Sequence, residues 1–228
     1  MAKKPRAAKK KQEKRGTNWL VIGGVIVIGA IALFFLLYLA VREPAAQKTL
    51  SLSNYCQENS ANCVRMGAVD APVTLVEVSD FGCPHCRSFH QEKAALIKEQ
   101  YVDSGQVKWI FLPYALRPET APAANAALCA EEQGKYYEFT EALFNQSTET
   151  SLTRDGFLLA AEEIGIQTDP FTTCLEDNRY SAIVSENQQA AQSARVTGTP
   201  TFFVNDQILR GNVPLAEFES LFNQMAGS

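Results

Sequence analysis

The apolar residues of this chain fall into one long uninterrupted run and several shorter, patterned ones. The long run, residues 19–41, contains 23 residues and no charge, and as an α-helix it would be about 34 Å long, enough for the core of a bilayer. It is longer than the apolar region of about 7 to 15 residues in a cleaved secretory signal, and it ends Leu39-Ala40-Val41-Arg42 without a small-x-small site. The pattern predicts a transmembrane helix; a cleaved signal is the alternative.

A strand–helix–strand pattern begins after residue 70. Residues 72–79 are rich in β-branched side chains and bounded by turn residues, and residues 107–112 repeat that strand pattern. Between them, Pro84 suits the first turn of a helix, and apolar residues recur on one helical face at Phe89, Leu96, Ile97 and Tyr101. Parallel pairing of the two strands around this helix is expected.

The pattern becomes helical over about residues 118–195, with Gly134 and Gly165 as expected helix ends and Thr153 as an expected cap. Two strands, 201–204 and 207–210, and a helix from Pro214 to about Met225 follow. Neither half has enough strands for a stable sheet alone. The order therefore predicts an α/β domain in which a helical insertion separates two halves of one mixed sheet. We place this domain at residues 71–228, after a polar linker at 42–70.

Charge is distributed unevenly along the chain. Residues 1–15 contain eight Lys or Arg and one Glu, a net charge of +7, so the remaining residues carry −11 of the total −4. A basic segment directly before an apolar span indicates a cytoplasmic tail, at residues 1–18, by the positive-inside rule. The acidic domain then lies outside the cytoplasm. Beside a span, lipid headgroups are a simpler partner for this tail than nucleic acid, and the mean hydropathy of −0.12 excludes a polytopic membrane protein.

Six cysteines suit an extracytoplasmic domain, where disulfides persist. Six cysteines permit 15 pairings, and if Cys83 pairs with Cys86, three remain for the other four. The preferred pairs are Cys56 with Cys63, which are close in sequence, and Cys129 with Cys174, which fall in the helical region. We expect these four cysteines to be structural.

The motif Cys83-Pro84-His85-Cys86 lies where a strand ends and a helix begins. Unpaired N–H groups and the helix dipole at this position favour a thiolate at Cys83, and Cys86 is near enough to form a reversible disulfide with it. The His85 side chain is expected to stabilise the thiolate further. A lowered pKa stabilises the reduced form and makes the disulfide oxidising.

Other uses of this motif are less favoured. Zinc would need four ligands from Cys83, His85, Cys86 and His90, which crowd into eight residues. Covalent haem attachment needs a His where Arg87 stands. A purely structural disulfide remains an alternative, although so short a loop restricts the unfolded chain little. The sequence calls for no metal or other cofactor, and His90 is expected on the helix surface.

Together, the Cys83–Cys86 motif, Glu77 six residues before it, the helical insertion and Gly198-Thr199-Pro200 before a strand resemble the DsbA-like thiol:disulfide oxidoreductases of the thioredoxin superfamily. The resemblance covers roughly residues 70–228 and implies a thioredoxin fold. It further implies roles for individual residues: Cys83 as nucleophile, Cys86 as resolving thiol, Glu77 as a buried acid that moves the Cys86 proton, and Thr199 beside a cis Pro200 facing the substrate.

These features predict an enzyme that introduces disulfides into unfolded exported proteins, anchored in the cell membrane by one span. A membrane partner, expected to be of the quinone-linked type, would re-oxidise it, and tethering would raise the effective concentration of that partner. Two alternatives remain at this point: a disulfide reductase or isomerase, and a binding or chaperone module whose Cys83–Cys86 bond is inert.

Overall fold

The computed structural model describes residues 19–41 and 51–227. Residues 1–18, which include the predicted cytoplasmic tail, and residues 42–50 of the predicted linker lie outside the described residues. The first described segment is a single 23-residue helix, α1 (Trp19–Val41). The described residues include no helix that has both the length and the hydropathy needed to cross a membrane.

A five-stranded mixed sheet organises the described chain from residue 51 onward, in the order β1-β3-β2-β4-β5. Its strands are β1 (Val64–Met66), β2 (Val73–Ser79), β3 (Val107–Pro113), β4 (Thr201–Val204) and β5 (Gln207–Arg210). The central pair, β2 and β3, is parallel, with Leu75 opposite Trp109. All other pairs are antiparallel. The two halves of the sheet therefore meet at β2 and β4, within the single mixed sheet that the sequence predicts.

Helices cover both faces of this sheet. They are α2 (Leu52–Glu58), α3 (Pro84–Phe89), α4 (Ala95–Ile97), α5 (Ala121–Glu131), α6 (Tyr136–Asn145), α7 (Thr148–Ser151), α8 (Arg154–Glu163), α9 (Thr168–Glu176), α10 (Ser181–Ser193) and α11 (Leu215–Ala226). Short 3-10 turns at Ser60–Asn62 and Pro118–Thr120 precede β1 and α5. Helices α5 to α10 form the predicted helical insertion between β3 and β4.

Alternation along β2 divides the interior into two apolar layers. Val73 and Leu75 face the layer that contains Cys86, Phe89 and most of the helical insertion. The even-numbered residues of the same strand face a second layer, built with α2 and α10; these are Val76 and Val78. Successive strand residues point to opposite faces, so residue 77 lies on the same face as Cys86.

The folded domain begins earlier than predicted. The interpretation of 42–70 as a polar linker is wrong for its second half, because α2 and β1 belong to the domain. Leu52 and Cys56 are fully buried in the second apolar layer, and β1 pairs with β3 at the sheet edge. One buried residue per turn in a seven-residue helix leaves too short a periodic pattern to identify from sequence.

Local signals in the helical insertion match their predicted roles. The Thr153 side chain accepts a hydrogen bond from Gly156 N and caps α8. Gly134 and Gly165 have φ of 66° and 72°, the left-handed conformation that follows many helices. A disulfide joins Cys129 on α5 to Cys174 on α9, and a second joins Cys56 to Cys63. These are the pairings that the sequence analysis prefers.

The helix that follows the Cys83–Cys86 motif is longer and less regular than α3 alone. It continues from Phe89 through a π-helical stretch at His90–Ala94, then α4, then a second π-helical stretch at Lys98–Val102. The predicted helix, which the sequence Asp103-Ser104-Gly105 is expected to stop, is therefore present and ends at Val102, but it is widened in two places. π-Helical turns are frequent at functional sites, and the first one begins at His90.

Candidate functional site

The turn between β2 and α3 positions Cys83 at a helix start. Cys83 is the N-cap residue of α3, with extended backbone angles, and Pro84 occupies the first turn. The Cys83 backbone N–H donates to the Asp80 carbonyl at 3.0 Å, and Arg87 N–H donates to the Cys83 carbonyl at 3.1 Å. The thiol therefore stands where the N–H groups of the first helical turn lack partners within the helix.

The two thiols of the motif have unlike surroundings. Both are free, Cys83 partly exposed and Cys86 buried. The pKa of Cys83 is lowered from 9.0 to about 5, above all by a hydrogen bond from the Cys86 thiol, then by the Thr199 side chain and the backbone of Cys86 and His85, against the opposing effect of burial. Burial, together with the neighbouring Cys83, raises the pKa of Cys86 well above its usual value. At neutral pH the pair is one thiolate and one thiol.

His85 acts through its backbone rather than its ring. Its side chain is exposed, and its effect on the pKa of Cys83 comes from a backbone hydrogen bond. The expected stabilisation of the thiolate by the imidazole is thus not the arrangement in the structure. The helix start supplies this donor whatever the side chain at position 85.

The loop before β4 faces the exposed thiol. The Thr199–Pro200 peptide bond is cis, and the Cys83 sulfur lies 3.2 Å from the Thr199 carbonyl oxygen, to which it donates a hydrogen bond when the thiol is protonated. Pro200 is buried, while Thr199 is partly exposed. The structure therefore brings Thr199 and Pro200 beside Cys83, 116 residues away in sequence.

Asp80 is a buried member of the site that the sequence analysis does not identify. Its backbone N–H donates to the Cys86 sulfur at 3.4 Å. Its carboxylate accepts hydrogen bonds from Gly82 N at 2.8 Å, from Leu116 N at 2.6 Å and from the Thr120 hydroxyl at 2.5 Å. This carboxylate therefore ties the loop of the motif to the start of the helical insertion. The available signal was an Asp two residues before a glycine, a usual turn pattern.

Glu77 and His90 lie together beneath the motif helix, contrary to the expectation that His90 is a surface residue. Both side chains are 1% exposed, and His90 Nε2 lies 2.8 Å from Glu77 Oε1. On the other side, His90 Nδ1 lies 2.5 Å from Glu141 Oε1. Burial alone would lower the pKa of His90, but the charge of Glu77 and the hydrogen bonds with both carboxylates raise it to about 9. The available signal was its spacing, one helical turn after Cys86.

Arg87 fastens the motif helix to the helical insertion. Its guanidinium donates to the carbonyls of Leu143, Phe144 and Gln146, where α6 ends, and to the Ser151 hydroxyl. It also lies over the Phe144 ring, 5.8 Å from its centroid. The residue that excludes the haem attachment motif therefore has a structural use here, because it satisfies helix-end carbonyls that have no partner within α6.

Comparison with known proteins identifies the family. A family model described as thioredoxin matches residues 59–224, more than half of the chain. The chain belongs to the thioredoxin family. The predicted thioredoxin fold with a helical insertion is confirmed.

Individual relatives narrow the resemblance. The protein is 28% identical over 152 residues to "Disulfide bond formation protein D" of Bacillus subtilis, covering 64% of this chain and 68% of that protein. It is similar to the crystal structure of Wolbachia pipientis alpha-DsbA1, with a TM-score of 0.65 and 26% identity, covering 73% of this chain and 92% of that one. The predicted resemblance to DsbA-like oxidoreductases is thereby confirmed.

A third relative is much longer. "Na(+)/H(+) antiporter NhaA 3" of Salinispora tropica is 36% identical over 142 residues, 61% of this chain. The match covers 21% of that protein, so this chain spans about a fifth of its length.

Proposed function

We propose that this protein is a thiol:disulfide oxidoreductase that introduces disulfide bonds into exported proteins through Cys83 and Cys86. The observation that carries the proposal is the asymmetry of the pair: a partly exposed thiol with a pKa of about 5 beside a buried thiol whose pKa is raised. The exposed sulfur is the one that a substrate thiolate can reach. The buried sulfur is then the leaving group within the enzyme.

The same asymmetry favours oxidation of substrates over their reduction. A thiolate that is stabilised in the reduced enzyme lowers the free energy of the reduced form, so that the disulfide form is a strong oxidant. A reductase needs the opposite balance. The name of the Bacillus subtilis relative, a disulfide bond formation protein, supports the same direction.

The substrate is proposed to bind as an extended peptide beside Thr199 and Pro200. The Thr199 carbonyl lies 3.2 Å from the Cys83 sulfur, and backbone groups next to a reactive thiol can pair with a peptide in the manner of an added strand. The proposed substrates are unfolded exported proteins with free cysteines. Glu77, buried on the face of β2 that Cys86 shares, is proposed as the acid that exchanges a proton with Cys86.

We place the catalytic domain outside the cytoplasm, anchored by residues 19–41. The anchor is supported by the 23 uncharged residues of this segment and by the net charge of +7 in residues 1–15. The proposed re-oxidising partner is a membrane protein of the quinone-linked type, and the lipid bilayer is the second partner. In this location the disulfides Cys56–Cys63 and Cys129–Cys174 would persist.

Trapping of mixed disulfides tests the exchange mechanism. The Cys86→Ser variant is expressed in bacteria so that its domain reaches the cell envelope. It is expected to accumulate mixed disulfides between Cys83 and exported proteins, because the thiol that resolves them is missing. Non-reducing electrophoresis measures these adducts. The Cys83→Ser variant is the matched control and is expected to form none. Equal absence of adducts in both variants would contradict the mechanism.

The reduction potential of the Cys83–Cys86 pair tests the direction. Equilibration of the full-length chain with glutathione buffers is expected to give a reduction potential of about −120 mV, which is typical of strong oxidants. A value near about −270 mV would instead favour the reductase or isomerase. A pair that resists mild thiol reductants altogether would favour a binding or chaperone module with an inert bond.

A further inference from the structure

Three ionisable side chains from different parts of the chain form a continuous row beneath the motif helix. Glu77 comes from β2, His90 from the π-helical turn after α3, and Glu141 from α6. The imidazole bridges the two carboxylates through its two nitrogens, at 2.8 Å to Glu77 and 2.5 Å to Glu141. Since one carboxylate lies at each ring nitrogen, the ring donates to both of them when it is protonated.

The row leads from the interior to the surface. The side chains of Glu77 and His90 are 1% exposed, whereas that of Glu141 is 22% exposed. Solvent therefore reaches Glu141 but neither of the other two groups. A proton leaving His90 toward Glu141 has access to water, and a proton held on Glu77 does not.

The inner end of the row adjoins a small cavity. One oxygen of Glu77, Oε2, is buried and has no hydrogen-bond partner among the described residues. Beside it is a cavity of about 10 Å³, lined in part by Ser79, Phe81 and Thr140, which is about the space that one water occupies. The free oxygen of Glu77 is thus the one available to take up a proton.

The row lies on the side of the motif helix that also carries the buried thiol of the redox pair. His90 follows Cys86 by four residues, and its backbone N–H donates to the Cys86 carbonyl, so the two side chains lie on one face of the helix. Cys86 and Leu75, which shares the face of β2 that carries Glu77, belong to the same apolar layer. Cys86 keeps its proton at neutral pH because its pKa is raised. Each re-oxidation of the pair must therefore remove a proton from a buried sulfur.

We propose that Glu77, His90 and Glu141 exchange protons at constant charge: Glu77 takes the proton of Cys86 while His90 releases another to solvent through Glu141. This inference rests on the proposed function and extends it to His90 and Glu141. The two carboxylates stay close to one cation before the exchange, and one carboxylate is neutral after it. The buried cluster thus never has to hold an uncompensated additional charge, which is costly in an apolar interior.

The step balances in re-oxidation by glutathione disulfide. The Cys83 thiolate attacks one glutathione sulfur, forms a mixed disulfide and releases the first glutathione thiolate. Cys86 gives its proton to Glu77, attacks the Cys83 sulfur and releases the second glutathione thiolate. The cysteine pair loses two electrons and glutathione disulfide gains two. Glu77 keeps the proton of Cys86, and His90 releases one proton to solvent, so re-oxidation releases one proton in all. Reduction of the pair runs these transfers in reverse.

The rates of the two steps with glutathione disulfide test the proposal: attack by Cys83 and closure of the mixed disulfide by Cys86. Both are measured on the full-length chain by acid quench and mass spectrometry between about pH 6 and 8. The Glu141→Gln and His90→Gln variants are expected to close the mixed disulfide at least about tenfold more slowly than the wild type. This is less than the rate acceleration that a positioned acid or base usually contributes. The first step, attack by Cys83, is expected to stay within about twofold of the wild-type rate in both variants. His90→Gln is also expected to change the pH profile of closure, because it removes the titrating group between Glu77 and Glu141, the charged side chains that contact His90 among the described residues.

The phenols of Tyr136 and Tyr137 on α6 also interact with these carboxylates, but burial raises the pKa of both, so they stay neutral over this pH range. Glu138→Gln is the matched control, since it removes the same charge from an exposed position of α6, and normal closure is expected.

Closure within about twofold of wild type in both Glu141→Gln and His90→Gln would overturn the proposal. Equal slowing of both steps would also overturn it, because that is the result of a purely structural role. If His90→Gln does not fold, Glu141→Gln alone decides, since its side chain lies at the surface end of the row. Failure of the wild-type pair to close at all would contradict the proposed function instead.

Discussion

The Cys83–Cys86 pair and the Cys129–Cys174 disulfide show how surroundings divide cysteines of one chain into different classes. Cys129 and Cys174 are both fully buried among apolar residues of α5 and α9. Cys83 instead is partly exposed at a helix start and is surrounded by hydrogen-bond donors. A thiolate is favoured only where donors meet solvent access. The difference lies in burial and in the hydrogen-bond donors around each sulfur, the Cys86 thiol first among them for Cys83.

Alkylation at different pH values tests this difference with the largest expected effect. Reaction of Cys83 with iodoacetamide is expected to follow a midpoint near its pKa of about 5. At pH 6 the thiolate fraction would exceed that of an ordinary thiol roughly a thousandfold, given the unshifted value of 9.0. Because the pKa of Cys83 is lowered in the folded state, its contribution to folded-state stability is fully present above the unshifted value of 9.0 and is lost as the pH falls from there through about 5. Mass spectrometry of quenched samples measures the modification.

In the same experiment Cys86 is expected to remain unmodified in the native protein, since it is buried and protonated. The Cys83→Ser variant is the control and should show almost no labelling. A midpoint of alkylation near pH 9 would mean that the helix start does not stabilise the thiolate.

Removal of the Cys129–Cys174 disulfide is expected to affect stability much more than redox chemistry. The bond closes a loop with a sequence separation of 45, for which chain entropy predicts a loss of about 4 kcal/mol in the free energy of unfolding. Urea denaturation of the Cys129→Ala/Cys174→Ala variant measures it. The reduction potential of Cys83–Cys86 should not change. A shifted potential would indicate that these cysteines take part in the exchange.

Removal of the Cys56–Cys63 disulfide is expected to have a smaller effect. Its sequence separation is 7, so the same relation predicts about 2 kcal/mol for Cys56→Ala/Cys63→Ala. The comparison of the two variants by urea denaturation tests loop length as the cause. An equal or larger loss here would show instead that packing of α2 on the sheet depends on this bond.

The smallest expected change follows from Thr199→Val. The Thr199 side chain lowers the pKa of Cys83. Its hydroxyl oxygen has no hydrogen-bond partner among the described residues, so the hydroxyl is free to donate to the Cys83 thiolate, and one hydrogen bond to a charged group is worth about 1.5 kcal/mol, or about one pKa unit. The pKa of Cys83, measured by thiolate absorbance, should therefore rise by about one unit from its value of about 5. Thr199→Ser retains the hydroxyl and is expected to keep the original value. An unchanged pKa in Thr199→Val would show that the Thr199 side chain does not stabilise the Cys83 thiolate.

Much of the fold was predictable because its signals are local. The β-branched run of β2, the cap at Thr153 and the helix end at Gly134 each depend on a few neighbouring residues, and each lies where expected. The early elements α2 and β1 were not predictable, because they are short and stabilised by distant partners. β1, for example, exists through its pairing with Phe111 and Ile110 on β3.

The candidate site divides in the same way. The motif and its place at a helix start follow from spacing alone, since two residues separate Cys83 from Cys86 and a strand precedes them. The partners of His90 and Asp80 come from β2, α6 and the loop before α5. A sequence does not reveal which side chains meet across such distances.

The amino-acid sequence by itself therefore determined the redox motif, the order of the elements and the thioredoxin resemblance, all of which depend on composition and spacing along the chain. Only the tertiary structure decided that His90 is buried between two carboxylates and that Asp80 holds the motif loop. It also decided that His85 acts through its backbone. The physical reason is that burial and hydrogen bonding depend on which segments pack together, and these segments are far apart in the chain.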